Sequence, residues 1–290
     1  MKTLVPNRLR DKDRGALKVR SRRLPWGERT YVMGIVNATP DSFSGDGRPT
    51  TQSAIDHAAQ QIRFADLLDI GAESTRPGNT PIDESTEFER LIPVIEGARE
   101  RLGNDAIISA DTFKPVVFRA AHAAGADMLN SVWGLSDELL AAAVDCNVPV
   151  VVMHNKPVPM YERDVVDEVL AFLEEAAKRA VTAGIPPEHV ILDPGIGFGK
   201  LPDHNIAVLK SLPRLVALGF PTLLGTSRKS TIGILTGREP HERTYGTAAT
   251  VALGIAAGVD IVRVHDVAEI RDVVSVCDAI ERNWRPASWT

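Results

Sequence analysis

Polar side chains close eight short apolar runs along the chain, and their types are those of a chemical site. In order they are Asn37, Glu73-Ser74-Thr75-Arg76, Asp111-Thr112-Phe113-Lys114, Asn130, His154, Asp193-Pro194-Gly195, Ser227-Arg228-Lys229 and Arg263-Val264-His265-Asp266. Any one of these could be a helix N-cap or a turn residue, as Ser, Asp and Asn commonly are. Lys229, Arg263 and His265 are poor N-caps, so that explanation does not cover the set. Arg76, Lys229, Arg263 and His265 make a cationic group. Arginine offers a planar fork of donors suited to phosphate oxygens, and lysine acts as a mobile point charge. Asp111, Asn130 and Asp193 make an opposing group. An ionised carboxylate only accepts hydrogen bonds, so acids beside an amide suit a flat heterocycle with N–H donors along one edge. Together the groups describe a pocket for a nitrogenous ring with a phosphate or pyrophosphate tail.

The runs that carry these ends are residues 30–37, 67–74, 106–112, 127–132, 148–154, 189–195, 221–227 and 261–266. Several, such as Val148-Pro149-Val150-Val151-Val152-Met153, are apolar throughout rather than alternating, as strands buried on both faces are. Ala-rich stretches with a 3.6-residue period separate them, for example 165–183 and 247–258. Eight strands alternating with helices over about 250 residues predict an α/β fold, a single (β/α)8 barrel. All strands of such a barrel point one way, so the eight polar ends converge on its carboxyl-terminal face, where barrel active sites sit. Strands 7 and 8 then flank the usual phosphate position, where Lys229, Arg263 and His265 fall. The glycine-rich segment 193–200 has neither GxGxxG nor Walker A spacing and reads as a tight turn holding Phe198 beside the pocket. Lys229 lies in a polar segment, unlike the desolvated setting a Schiff-base lysine usually needs. His154 is open between a general base and a core histidine.

Charge and composition narrow the class. The net charge of −5 is uneven, because residues 1–30 hold ten Lys/Arg against three acids. We divide the chain into a basic leader, 1–29, read as a solvated segment wrapping the bottom of the domain, and a barrel, 30–290. The acidic remainder would repel a nucleic-acid backbone, so no nucleic-acid partner is expected. No apolar run approaches the ~20 residues of a membrane span. Cys146 and Cys277 are far apart and outside any CxxC spacing, which argues against zinc and for a reducing, cytoplasmic setting.

Six segments then resemble one family in register. They are 33–44 (Met-Gly-Ile-Val-Asn-Ala-Thr-Pro-Asp-Ser-Phe-Ser), 69–78 (Asp-Ile-Gly-Ala-Glu-Ser-Thr-Arg-Pro-Gly), 109–114 (Ser-Ala-Asp-Thr-Phe-Lys), 192–200 (Leu-Asp-Pro-Gly-Ile-Gly-Phe-Gly-Lys), 227–230 (Ser-Arg-Lys-Ser) and 263–267 (Arg-Val-His-Asp-Val). The chain resembles the dihydropteroate synthases, the folate-pathway transferases blocked by sulfonamides. The resemblance implies condensation of 6-hydroxymethyl-7,8-dihydropterin pyrophosphate with p-aminobenzoate. It implies a pterin pocket of Asp111, Asn130, Asp193 and Lys229, with Asp111 stabilising the cation left when pyrophosphate departs. Asn37, Thr75, Arg263 and His265 would hold the pyrophosphate, with Mg²⁺ near Asn37. Pro77, Phe198, Lys229 and Ser230 would form the p-aminobenzoate slot, and Arg76 would act from the loop that closes over the substrates. A homodimer is the family precedent.

The chain departs from the family pattern in three places. After Met153-His154 it runs Asn155-Lys156-Pro157-Val158-Pro159-Met160, which reads as a shortened loop. Asn130-Ser131 replaces Asn-Asp, and the first loop reads Gly45-Asp46-Gly47. Methyltetrahydrofolate:corrinoid methyltransferases share the barrel and pterin pocket but lack the 74–78 loop and the 227–230 lysine. A non-catalytic pterin-binding paralogue would not need Asn37, Arg263 and His265.

Overall fold

The computed structural model describes residues 14–38, 51–73 and 81–288. An antiparallel hairpin comes first, β1 (Ala16–Val19) and β2 (Arg22–Pro25). The eight expected strands follow as β3 (Tyr31–Asn37), β4 (Leu67–Gly71), β5 (Ile107–Asp111), β6 (Met128–Ser131), β7 (Val150–Met153), β8 (Val190–Asp193), β9 (Leu223–Leu224) and β10 (Ile261–Val264). They form one parallel sheet in the order β8-β7-β6-β5-β4-β3-β10-β9. A single parallel bridge, Leu192 to Thr222, joins its two ends, with Leu192 N donating to Pro221 O at 2.8 Å. The sheet is therefore a nearly closed barrel ringed by helices.

Period-two alternation sorts each strand between two layers. Val32, Leu68, Ile108, Leu129, Val150, Val190, Leu224 and Val262 pack outward among the helices. Tyr31, Met33, Leu67, Ile107, Met128, Val151, Ile191, Leu223 and Ile261 pack inward as a second cluster. Higher up the inward column the residue type changes: Leu67 is followed by Asp69, Ile107 by Ser109 and Asp111, Met128 by Asn130, Ile191 by Asp193, and Ile261 by Arg263. Thus the barrel is apolar at its amino-terminal end and polar at its carboxyl-terminal end.

The hairpin fills the apolar end. Leu17, Val19, Leu24 and Trp26 belong to the inward cluster, and Trp26 is only 1% exposed. Its indole Nε1 donates to Glu188 O at 2.9 Å. Residues 16–26 thus form the floor of the barrel core: this part of the leader lies at the bottom of the domain as expected but is packed rather than solvated, and residues 1–13 lie outside the described residues. Leu17, Val19 and Leu24 bury their side chains while Lys18 and Arg23 face outward, so the local charge concealed an ordinary half-buried strand pair.

Candidate active site

Four polar side chains meet inside the upper barrel. Asp69 projects from the middle of β4 and is fully buried. Its Oδ2 accepts from Asn130 Nδ2 of β6 at 2.8 Å and from Arg263 Nε of β10 at 2.6 Å. Arg263 also reaches β5, donating Nη2 to Asp111 Oδ2 at 2.8 Å. The Asp69 Oδ1 and Ser109 Oγ atoms of this layer are buried without a hydrogen-bond partner among the described residues. Burial, and then the Asp69 carboxylate, push the Asp111 carboxyl well above the usual range. Burial works against the Arg263 cation, yet Asp69, Asp111 and Asp193 outweigh it and hold its pKa above normal. One guanidinium thus serves several acids, and the layer carries excess negative charge away from water.

Asp193, at the top of β8, opens the glycine-rich turn. Its Oδ1 accepts from Gly195 N at 2.7 Å, while burial raises its pKa to about 6. Gly195 has φ +68°, and a Cβ there would lie 2.0 Å from His154 O, so glycine is required twice over. The turn continues to Phe198, whose ring carries Lys229 Nζ 3.8 Å from its centroid, a cation–π contact. Two side chains hold the turn in place. Lys200 Nζ contacts Gly195 O at 3.0 Å, Phe198 O at 3.1 Å and His154 Nδ1 at 2.9 Å. Asn205 takes Gly197 N on Oδ1 at 2.7 Å and gives Nδ2 to Thr231 Oγ1 at 3.0 Å, tying the turn to the helix that starts at Ser230. Burial, then the Lys229 and Lys156 cations, lower the Lys200 amine to about 7 despite Asp193.

His265 lies beyond β10 with its Nδ1 2.9 Å from Ser227 Oγ, which also accepts the His265 backbone N–H at 3.1 Å. Burial, then Arg263 and Arg228, lower its pKa to about 3. The imidazole is therefore neutral at pH 7, a hydrogen-bonding group rather than the cation expected from sequence. His154 resolves the same way. It is 2% exposed, and burial with Lys200 lowers it to about 3, so it is a core histidine packed on Tyr161 and Phe172.

The loop after His154 is well held. Lys156 pairs with Glu168 at 2.7 Å and lies over the Tyr161 ring, and Tyr161 Oη donates to Gly199 O at 2.8 Å. The loop thereby braces the glycine turn from outside.

Of the residues singled out from sequence, Asp111, Asn130 and Arg263 share one network, and Asp193, Phe198 and Lys229 share the neighbouring one. Ser230 is exposed at the start of its helix, and Asn37 stands half-buried at the end of β3. Thr75, Arg76 and Pro77, with the loop 39–50, lie outside the described residues. Sequence reasoning passed over Asp69 and Lys200. Asp69 has a signal in the sequence, an acid inside the apolar run Leu67-Leu68-Asp69-Ile70 rather than at its end. Among the described residues no cluster of three His, Cys, Asp or Glu is arranged to hold a metal. A hard cation that keeps most of its waters needs less than that. An amide oxygen such as that of Asn37 is a donor of the class such a cation takes.

A family model described as pterin binding enzyme matches residues 33–265. The Bacillus subtilis dihydropteroate synthase is 45% identical over 261 residues, 89% of this chain and 90% of its own. Two structures of the Xanthomonas albilineans enzyme superpose well. The one with 4-aminobenzoic acid has a TM-score of 0.87 at 45% identity and covers 93% of this chain and 99% of that one. The one with 7,8-dihydropteroate has a TM-score of 0.80 at 44% identity, covering 89% and 95%. The Yersinia pestis enzyme, solved with a sulfonamide drug complex, has a TM-score of 0.85 at 36% identity, covering 91% and 98%. The chain belongs to the pterin-binding enzymes and, within them, to the dihydropteroate synthases.

Proposed function

We propose that the barrel condenses 6-hydroxymethyl-7,8-dihydropterin pyrophosphate with p-aminobenzoate, releasing 7,8-dihydropteroate and pyrophosphate. The observation that carries this reading is the layer of acids around one arginine at the polar end of the barrel. Asp111, Asn130 and Asp193 would meet the donor edge of the pterin, with Lys229 beside them. Arg263 and His265, with Asn37 and Thr75, would take the pyrophosphate. Phe198, Lys229, Ser230 and Pro77 would line the p-aminobenzoate slot, and Arg76 would act from the same loop as Pro77. The ligands in the Xanthomonas albilineans structures are of the matching classes.

The chemistry needs no protein nucleophile. The bond from the exocyclic methylene to the pyrophosphate oxygen breaks, and its electron pair leaves with the pyrophosphate. The cation left on the methylene is delocalised into the ring, and the excess negative charge of the Asp69, Asp111 and Asp193 layer favours it. The aniline nitrogen then forms the new C–N bond and gives up a proton. Arg263 donates to the departing group, while neutral His265 offers it a hydrogen bond. Mg²⁺, held through Asn37 oxygen, would supply further neutralisation of pyrophosphate charge.

Two finer readings accompany the activity. The helix Thr244–Ala257 exposes an apolar stripe of Tyr245, Ala249, Leu253 and Ala256, and the helix Val267–Glu281, packed beside it, exposes Val276 and Ile280. A helix apolar on every side belongs in an interface, which supports a homodimer. No helix among the described residues is long and apolar enough to cross a membrane. Cys146 and Cys277 are free thiols, in keeping with a cytoplasmic setting.

A coupled assay for pyrophosphate release, run with and without p-aminobenzoate, tests the reaction. Release that depends on p-aminobenzoate is expected, with competitive inhibition by a sulfonamide. Release of equal rate without the amine would contradict it.

A further inference from the structure

We infer that Asp69 is the positioning residue that fixes which faces of Asn130 and Arg263 are offered to the pterin substrate. The inference rests on the activity proposed above and adds to it a residue that neither the substrate contacts nor the sequence reading singled out.

The geometry settles how Asn130 is turned. An amide can be placed with its nitrogen or its oxygen toward a neighbour. With the oxygen toward Asp69, two acceptors would stand 2.8 Å apart in the barrel interior. The nitrogen must therefore face Asp69 with one of its two hydrogens, which fixes where Oδ1 and the second N–H of Asn130 are offered. A ring N–H then finds its acceptor, Oδ1, in one fixed place.

Arg263 is constrained by the same atom. Its Nε donates to Asp69 Oδ2 at 2.6 Å and its Nη2 to Asp111 Oδ2 at 2.8 Å. Two contacts from two strands hold the planar group in one orientation, so its rotamers are decided before substrate arrives. Asp69 is fully buried and its Oδ1 has no hydrogen-bond partner among the described residues. A carboxylate placed there for stability alone would have its second oxygen satisfied, as the acids at the opposite end of the barrel do. The pattern is that of a group kept for what it does to its neighbours.

Asp69→Asn tests this, because a neutral amide of the same size can turn its oxygen or its NH2 toward Asn130 and Arg263, so the acceptor both partners share is no longer fixed and the charge is lost. The groups whose charge reaches Asp111 are Asp69 on β4, Glu87 on the helix that follows it, Arg263 on β10 and Lys229 beyond β9. Removing the Asp69 charge leaves Arg263 to favour ionised Asp111, so the acid limb of kcat/KM should move to lower pH. We expect kcat/KM for the pterin pyrophosphate to fall at least tenfold, the KM for p-aminobenzoate to stay within twofold, and the acid limb to shift down by half a pH unit or more. Wild-type parameters, or an equal loss toward both substrates with an unmoved acid limb, would overturn the assignment.

A second readout needs no variant. With asparagine side chains labelled with nitrogen-15 in the wild-type protein, one Asn130 amide proton should be shifted downfield and protected from exchange. An Asn130 amide that exchanges at the rate of an exposed one would overturn the assignment even if Asp69→Asn failed to fold. Absence of pyrophosphate release by the wild type would instead remove the underlying activity, an outcome separate from either result.

Discussion

The two ends of the barrel both bury aspartates, and they treat them in opposite ways. At the floor, Asp66, Asp127 and Asp260 each stand one residue before a strand, and each accepts a backbone N–H from the neighbouring strand: Val32, Ile108 and Thr222, at 2.8, 2.9 and 2.9 Å. Each also meets arginine. Asp66 pairs with Arg29 and Arg271, Asp127 with Arg20 and Arg99, and Asp260 with Arg14. Burial opposes the Asp66 charge, but Arg29 and Arg271 outweigh it and hold its pKa below normal. At the mouth, Asp69, Asp111 and Asp193 share Arg263, and burial raises Asp111 and Asp193 instead. Floor acids have more cations and donors than they need, and mouth acids have fewer. The first arrangement staples strands together. The second stores an unmet demand for donors that a ligand can fill, which is how perturbed acids mark functional sites.

The largest expected effect comes from breaking a floor staple. Asp127→Ala leaves Arg20, Arg99 and the Ile108 N–H without their acceptor. Losing one partner of such a buried network costs about 3–5 kcal/mol, read as a lower urea midpoint, with the kcat of the folded fraction unchanged. Arg263→Ala should add an effect that Asp127→Ala lacks. It also strands two buried acids, Asp69 and Asp111, and lowers the midpoint, but loss of a preorganised donor at the leaving group lowers the kcat of the folded fraction about a hundredfold or more as well. A large fall in kcat with Asp127→Ala would erase the distinction between the ends.

A smaller effect of opposite sign is expected at Asp193. Its folded pKa of about 6 lies above the ordinary carboxylate value, so the folded state is favoured while the group is protonated. That stability is present below about pH 4 and is lost as pH rises through about 6. Asp193→Asn should therefore raise stability at pH 7, by up to about 3 kcal/mol at the 1.36 kcal/mol of each pKa unit, with no gain at pH 3.5. Pterin affinity should fall about tenfold in the same variant, since a ring donor loses a charged acceptor. Thermal melts at the two pH values, with calorimetric titration of the pterin, check both halves.

Much of this contrast was legible in the sequence, and the illegible parts have physical reasons. Eight apolar runs became eight strands, and the polar run ends became the mouth. The strands are shorter than the runs, most of all β9, which keeps Leu223 and Leu224 out of 221–227, because the chain leaves the sheet where polar residues turn toward the site. The hairpin was hidden by Lys18, Arg20, Arg22 and Arg23, which make a strand pair look like a charged leader. Asp66, Asp127 and Asp260 read as turn residues, since their value lies in bonds to strands distant in sequence. His265 read as a cation because sequence shows its type and not its burial. Lys200 was passed over because its partners are carbonyls, which no sequence pattern displays.

The opposite treatment of like residues is tested most directly by following the aspartate carboxyl carbons of the wild-type protein by carbon-13 NMR as pH is changed. Asp193 is expected to titrate near pH 6, and Asp66 to remain ionised to pH values below the ordinary carboxylate range. A shared midpoint for the two, or an Asp193 that titrates below Asp66, would contradict the account.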